Sequence, residues 1–414
     1  MKLSTINTLL VMMATSLFAA PTAVQGADQP KIQIKPLKVF ILAGQSNMQG
    51  HAHVRTFDAM NLDPTTAPIL KEMRNSDGSP RVCEQVWISS LGSAAEERTG
   101  KLTAGFGAEQ GGPKIGPEFT FGIYLDKSLN EPILIIKTAW GGKSLHTDFR
   151  PPSAGPYEFS QAQLENWKKQ GKDIEVIRAE KAKASGHNYR LMTEHVKHVL
   201  TDIKRVYPAY DPKQGYELAG FVWFQGWNDM VAGDIYPQRD QPGGYDNYSK
   251  LLAQFIRDVR KDLAAPKLPF VIGVMGVGGP TNKYGPDQQR YKNIHQNFRD
   301  AMAAPAALPE FKGNVATVLT ENYWDMEVTA LREKERTLKP KVDELNKAVK
   351  DKKLTRAATE AAQTKLYSET FTPQELVLLK DSVSNAEFHY LGSARIMSQI
   401  GKGFAEAMIR LGAK

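Results

Sequence analysis

A three-layer α/β/α sandwich around a central parallel sheet is the fold class this 414-residue chain predicts, on two observations. Short apolar or β-branched runs recur along it, and amphipathic helical stretches separate several of them. The runs are Lys38 to Leu42, Val86 to Ile88, Ile133 to Thr138, Leu218 to Phe224, Phe270 to Val274 and Val315 to Leu319. They are continuously apolar rather than alternating, which marks strands buried on both faces, the condition of a parallel sheet held between helices. Met192, Val196, Val199, Leu200 and Ile203 fall on one helical face, as do Tyr248, Leu251, Leu252, Phe255, Ile256 and Val259. In such folds reactive groups gather on loops beyond the carboxyl ends of the strands.

Ahead of the first strand, Met1-Lys2-Leu3 leads into an apolar run from Leu9 to Ala20 and then small residues from Ala23 to Ala27. That order predicts a secretory signal peptide over 1–26, with Ala23 as a rival cleavage site. Its apolar core is about a dozen residues, short of the roughly 20 that a spanning helix requires. The mature chain, 27–414, is therefore expected to lack a membrane span and to be secreted or periplasmic. Cys83 is the sole cysteine, so neither a disulfide framework nor a cysteine zinc site is expected, and it reads as a small buried apolar residue. The net charge of +8 comes from 53 basic and 45 acidic residues mixed throughout the chain. Without a basic patch, nucleic acid is not an expected partner, whereas an anionic polysaccharide is compatible.

Three stretches break the strand–helix rhythm. Asp58 to Pro117 and Asp148 to His187 are rich in glycine, proline and charge, and read as long loops over the strand ends, walling a cleft. Met326 to about Lys365 is dense in lysine and glutamate and predicts a solvated helical hairpin inserted in the domain. Thr372-Pro373-Gln374-Glu375 then spells a capping box with proline at the first helical position, and Ile396, Ile400, Phe404, Met408 and Leu411 share the face of a closing helix. No internal repeat is present.

Four blocks carry chemistry, and each follows a predicted strand or precedes the last helix. Gly44-Gln45-Ser46-Asn47-Met48 puts a serine just beyond a buried strand, where its hydroxyl can face a ligand and its own N–H a developing oxyanion, although Gly-x-Ser also fits a plain helix cap. Gly141-Gly142, after Trp140, lets backbone approach a ligand closely, or simply turns the chain. In Gln225-Gly226-Trp227-Asn228-Asp229, Gln225 and Asn228 are neutral amide donors able to stabilise negative charge on oxygen. In Asn385-Ala386-Glu387-Phe388-His389, an imidazole stands two residues from a carboxylate able to orient it.

Taken together, these blocks resemble the SGNH hydrolase superfamily, and most closely its sialate O-acetylesterase and carbohydrate esterase family 6 branch. Gly44 to Met48 matches that branch's GQSNM, Gly141-Gly142 its paired glycines, Gln225, Gly226 and Asp229 its QGExD, and Gly226 to Asp229 also spells the superfamily's GxND. The resemblance implies a flavodoxin-like SGNH sandwich and a secreted carbohydrate O-acetylesterase working through an acyl-enzyme, without cofactor or metal, on an acetylated glycan. It implies Ser46 as nucleophile, His389 as base, and an oxyanion hole from Ser46, Gly142 and Gln225 or Asn228. Gln45, Gly141 and Trp227 are expected at the substrate. The chain departs from the pattern twice. Trp227 replaces the glutamate of QGExD, and Ala386 stands where the usual acid lies three residues before the histidine. Glu387 matches a two-residue spacing used by some members, and Asp325 is the other candidate acid.

His51, His53 and His146 follow the first two blocks closely enough to line the same cleft, but no further protein ligand accompanies them and no metal site is expected. Trp140, Trp227 and Trp324 at strand ends read equally as sugar platforms or core. Two other functions fit the same residues. One is a carbohydrate-binding protein that has lost catalysis, which Ala386 favours. The other is a lipid esterase, against which the polar, tryptophan-bearing loops argue. The sequence leaves the oligomeric state open.

Overall fold

Seven strands build the central sheet of the computed structural model, which describes residues 35–94 and 96–412. They are β1 (Leu37–Gly44), β2 (Val86–Gly92), β3 (Arg98–Lys101), β4 (Ile133–Ala139), β5 (Tyr216–Phe224), β6 (Phe270–Val274) and β7 (Val315–Leu319), in the spatial order β3-β2-β4-β1-β5-β6-β7. All six apolar runs are strands, and they pair in parallel. The seventh, β3, is an antiparallel edge that the sequence reading took for loop. Arg98, Thr99, Gly100 and Lys101 are only partly covered or exposed, so β3 lacks the apolar signature of a buried strand.

Side chains leave β5 alternately to the two helical layers. Phe221 and Trp223 meet Phe255 of the helix Asp246–Asp262, whereas Phe224 packs edge-on against Phe404 of the helix Ala394–Arg410. Gly220 lies so close beneath Met408 of that second helix that a Cβ would collide with the thioether. The helix Glu118–Leu129 shares the layer of Ala394–Arg410, and Gly401 lets their backbones approach where any side chain would strike the Pro117 carbonyl and Thr120. Strands sandwiched this way are apolar on both faces because neither face meets water.

The insertions hold more regular structure than expected. Within 58–117 lie the helix Ala67–Met73, the edge strand, and Lys114–Ile115, which pairs with Ala52–His53 as a two-stranded ribbon. The stretch 148–187 contains the helices Gln161–Lys169 and Ile174–Ala184. Nothing on the second of these is buried, so no apolar stripe announced it. The charged insertion is helical, but larger than a hairpin: Met326–Arg336, Lys339–Lys350 and Arg356–Thr370 run on to Pro373–Asp381, and Leu331, Leu338, Phe371 and Leu378 close a small core of their own. The expected capping box starts the last of them, with Thr372 Oγ1 accepting from the Glu375 N–H at 3.2 Å and the Glu375 carboxylate from the Thr372 N–H at 2.7 Å. Cys83 is fully buried. No helix among the described residues is long and apolar enough to cross a membrane, and the signal peptide expected over 1–26 lies outside the described residues.

Candidate active site

Register decides what meets at the rim of the sheet. Gly44, at the end of β1, pairs with Ala139 of β4 on one side and Phe224 of β5 on the other, and Ala139 also pairs with Gly92 of β2. Four strands thus end level, and Gln45-Ser46, Trp140-Gly141-Gly142, Gln225-Gly226 and Ser93 emerge side by side. From β1 the chain crosses to β2 on one side of the sheet, and from its neighbour β5 to β6 on the other, so the strand order reverses at the rim between β1 and β5. Gly44 is required there, since a Cβ would run into the Phe224 carbonyl.

Ser46 opens the short helix Ser46–Gln49, whose turn is closed by Gln49 N–H to Gln45 O at 2.8 Å and Gly50 N–H to Ser46 O at 2.9 Å. N–H groups of a first helical turn have no acceptor within the helix, and that of Ser46 is one of them. The residue is only 8 % exposed. Beneath the helix, the fully buried Lys137 donates to Gln49 O at 2.8 Å and Phe106 O at 2.9 Å and pairs with Glu118 at 2.7 Å, which fixes the helix from below. Gly141 lies over Ser46, since a Cβ added to it would be 3.9 Å from that of the serine, and its N–H donates to Ser93 Oγ at 2.9 Å. Gly142 has open space around it but a φ of +72°, so backbone conformation demands glycine there.

Asp229 ties these loops together from within. Fully buried, it accepts from the Leu145 N–H at 2.8 Å, the His146 N–H at 3.0 Å, His146 Nδ1 at 2.9 Å, Gln225 Nε2 at 2.6 Å and the Tyr236 hydroxyl at 3.4 Å. Burial pushes its carboxyl up, but His146 and these hydrogen bonds outweigh that and hold it below the usual carboxylate range. Gln225 Nε2 donates also to Lys143 O at 3.0 Å and Gln45 Oε1 at 3.4 Å, while its carbonyl accepts from Tyr248. A side chain whose N–H bonds are spent this way braces the rim, whereas the expectation for Gln225 was a donor to the oxyanion. Asn228, on the short helix Trp227–Val231, is partly exposed.

The His389 segment, Glu387–Gly392, packs against the Ser46 helix. No hydrogen bond joins Ser46 Oγ to His389 in this structure, and such contacts in other enzymes commonly tighten only with substrate. Tyr390 and Leu391 have φ of +52° and +60°, a conformation costing about 1–3 kcal/mol each for such residues. Tyr390 is held in it because its ring is fully buried and its hydroxyl accepts from the Gly276 N–H at 2.9 Å and bonds Thr320 Oγ1 at 2.6 Å. His389 Nδ1 lies 2.9 Å from Asn385 Oδ1, and its ring stacks on that of His51 with centroids 3.8 Å apart and planes 3° from parallel. Burial brings His389 down to about 4; burial, His389, Lys114 and Lys137 bring His51 down to about 3.

Neither expected acid reaches that imidazole. Glu387 turns outward to Arg336 of the charged insertion at 2.9 Å. Asp325 caps the helix Met326–Arg336 through the Val328 N–H at 3.0 Å and faces Arg395 Nε at 3.1 Å. The histidines considered as metal ligands are also engaged: His53 Nδ1 accepts from the Arg55 N–H, and His146 bonds Asp229. Cavities open beside Asn385 and beside Glu387 and Phe388. One, of about 410 Å³, is polar and is lined by Gln49, His51, Ser93, Lys114 and Asn385 among others. The second, of about 400 Å³, is aromatic, with Trp227, Phe388, Tyr284 and Tyr291 in its wall and Arg239 and Glu387 as charges. Trp227 and Phe388 are 5.7 Å apart, and Phe388 stands edge-on to His389 at 4.4 Å.

The model of the family described as carbohydrate esterase, sialic acid-specific acetylesterase, matches residues 36–307. The chain belongs to that family. The match covers the Ser46, Gly141-Gly142 and Gln225–Asp229 blocks, whereas His389 lies beyond it. Among solved structures, the chain is similar to an Arabidopsis thaliana protein, at 18 % identity over 69 % of this chain and 86 % of that one, with a TM-score of 0.39. It is also similar to a carbohydrate acetylesterase from Xanthomonas citri, at 14 % identity over 69 % of this chain and 51 % of that one, with a TM-score of 0.37. No curated protein matches it. For this sialic acid-specific acetylesterase family member, the reading of the sequence missed Asn385 as partner of His389, Ser93 as partner of Gly141, and Phe388 beside Trp227. Asn385 stands four residues before the histidine, where an amide carries no signal of a triad acid.

Proposed function

We propose that the protein is an exported carbohydrate O-acetylesterase that transfers an acetyl group from a glycan ester to water through Ser46. His389 Nε2 takes the Ser46 proton as Oγ attacks the ester carbonyl. The oxyanion is held by the N–H groups of Ser46 and Gly142 and by Asn228, and the proton passes to the departing sugar oxygen. Water, deprotonated by the same imidazole, then releases acetate and restores the serine. The aromatic faces of Trp227 and Phe388 receive the apolar face of the sugar ring, with Gln45 and Gly141 lining the acetyl side. No cofactor enters this chemistry. The observation that carries the reading is Ser46 at the head of a helix on the central strand, beside Gly141 and against the His389 segment, in a chain of an acetylesterase family. Its test is acetate release from p-nitrophenyl acetate and from acetylated glycans by the wild type and by Ser46→Ala; equal rates would remove Ser46 from the mechanism. A protein recovered outside the cytoplasm should begin at Ala27.

One observation favours a second reading, a glycan-binding protein without catalysis: His389 has an amide rather than a carboxylate at Nδ1. Binding of an acetylated glycan with no acetate released would select it.

A further inference from the structure

We infer that Asn385 sets the tautomer of His389, a neutral amide thereby filling the place that a carboxylate holds in a serine–histidine–acid triad. The inference rests on the reading of His389 as the general base. It begins with a group that has no choice: the Ala386 backbone N–H can only donate, and it points at Asn385 Oδ1 from 2.8 Å. The atom there must be the carbonyl oxygen, so the orientation of the amide is determined. The same oxygen lies 2.9 Å from His389 Nδ1, and an oxygen with no proton obliges that nitrogen to carry one. Nε2 of a neutral ring is then bare, which is the form able to accept the Ser46 proton.

The other end of the amide acts on the second imidazole. Asn385 Nδ2 faces His51 Nδ1 at 3.5 Å as a donor, which leaves that nitrogen the acceptor. One side chain thus clips two parallel rings along their edges, while their stacking fixes the faces. Asn385 is itself held: its N–H and that of Ser384 both donate to Leu391 O at 2.9 Å, and Ser384 Oγ bonds Gly392 O at 2.7 Å and His51 O at 3.2 Å. The two left-handed residues after His389 bring the Leu391 carbonyl back to make this possible.

An amide orients an imidazole but does not stabilise its positive form as a carboxylate does. Among the described groups around the pair, Lys114 and Lys137 act on His51, Glu109 of the adjoining cavity is paired with Arg98, and Glu387 is held by Arg336. The base is therefore neutral over the ordinary pH range and gains its proton only transiently.

Two variants and two readouts test this. Asn385→Leu removes the acceptor at nearly constant volume, and Asn385→Asp keeps it and adds charge. Long-range ¹⁵N–¹H spectra of the imidazoles, with His389 assigned by its loss in His389→Gln, read the tautomer without reference to turnover. The wild type should show His389 protonated at Nδ1, and Asn385→Leu should shift it toward the Nε2–H form and lower kcat/KM on the order of 10²-fold or more. Asn385→Asp should keep the Nδ1–H form, retain turnover and move the acid limb of kcat/KM upward by about one pH unit or more, which a merely structural residue would not do. An Nδ1–H ring unchanged in Asn385→Leu, or an acid limb unmoved in Asn385→Asp, overturns the inference. Undiminished turnover by Ser46→Ala would instead overturn the esterase reading, and the spectra would still decide the tautomer.

Discussion

Replacing Asp229 with alanine tests the claim that one buried carboxylate holds the rim together. The substitution strands four strong donors in the interior: the N–H groups of Leu145 and His146, His146 Nδ1 and Gln225 Nε2. A buried donor deprived of its partner costs about 1–3 kcal/mol. Because the loop relaxes around the gap, these do not add, and a total of about 4 kcal/mol follows. A domain of this size has an unfolding entropy of roughly 0.8 kcal/mol per kelvin, so Tm should fall by about 5 °C. The pH dependence has a definite sign. The folded carboxyl is held below its ordinary value, so its contribution is fully present above the unfolded value of about 4 and is lost as pH falls through the folded one. Between about pH 7 and pH 3, the gap between wild type and Asp229→Ala should narrow once pH falls below about 4. Calorimetry in that range measures both, with kcat/KM on p-nitrophenyl acetate falling as Gly142 loses its support. A variant melting within a degree of the wild type would refute this account of the loops.

The remaining predictions concern the chemistry. Burial lowers His389 to about 4, so the rate should rise with pH through a limb near that value and then stay level to neutrality. Glu387→Gln should leave this limb where it is, since the carboxylate is paired with Arg336; a displaced limb would return Glu387 to the imidazole. Trp227→Ala should raise KM for an acetylated glycan by about tenfold, the equivalent of ~1.4 kcal/mol of stacking, and barely change it for p-nitrophenyl acetate. Equal effects on the two substrates would place the sugar elsewhere.

Six strands were legible because burial on both faces writes continuous apolar runs, and Ser46 was legible because it follows one of them. The helices Asp246–Asp262 and Ala394–Arg410 were equally plain, each presenting one apolar stripe to the sheet. The edge strand Arg98–Lys101 and the exposed helix Ile174–Ala184 bury too little to leave such a mark.

The sequence alone determined the layered architecture and which blocks stand at strand ends, because continuous apolar runs and helical apolar stripes are local patterns. Which group meets His389 was decided only in three dimensions. Glu387, Ala386 and Asn385 are all near it along the chain, yet the left-handed turn at Tyr390 and Leu391 and the Arg336 side chain of a distant insertion sort them. Asn385 reaches the imidazole while Glu387 faces outward, since the direction of a side chain in an irregular loop depends on what the loop packs against and not on spacing.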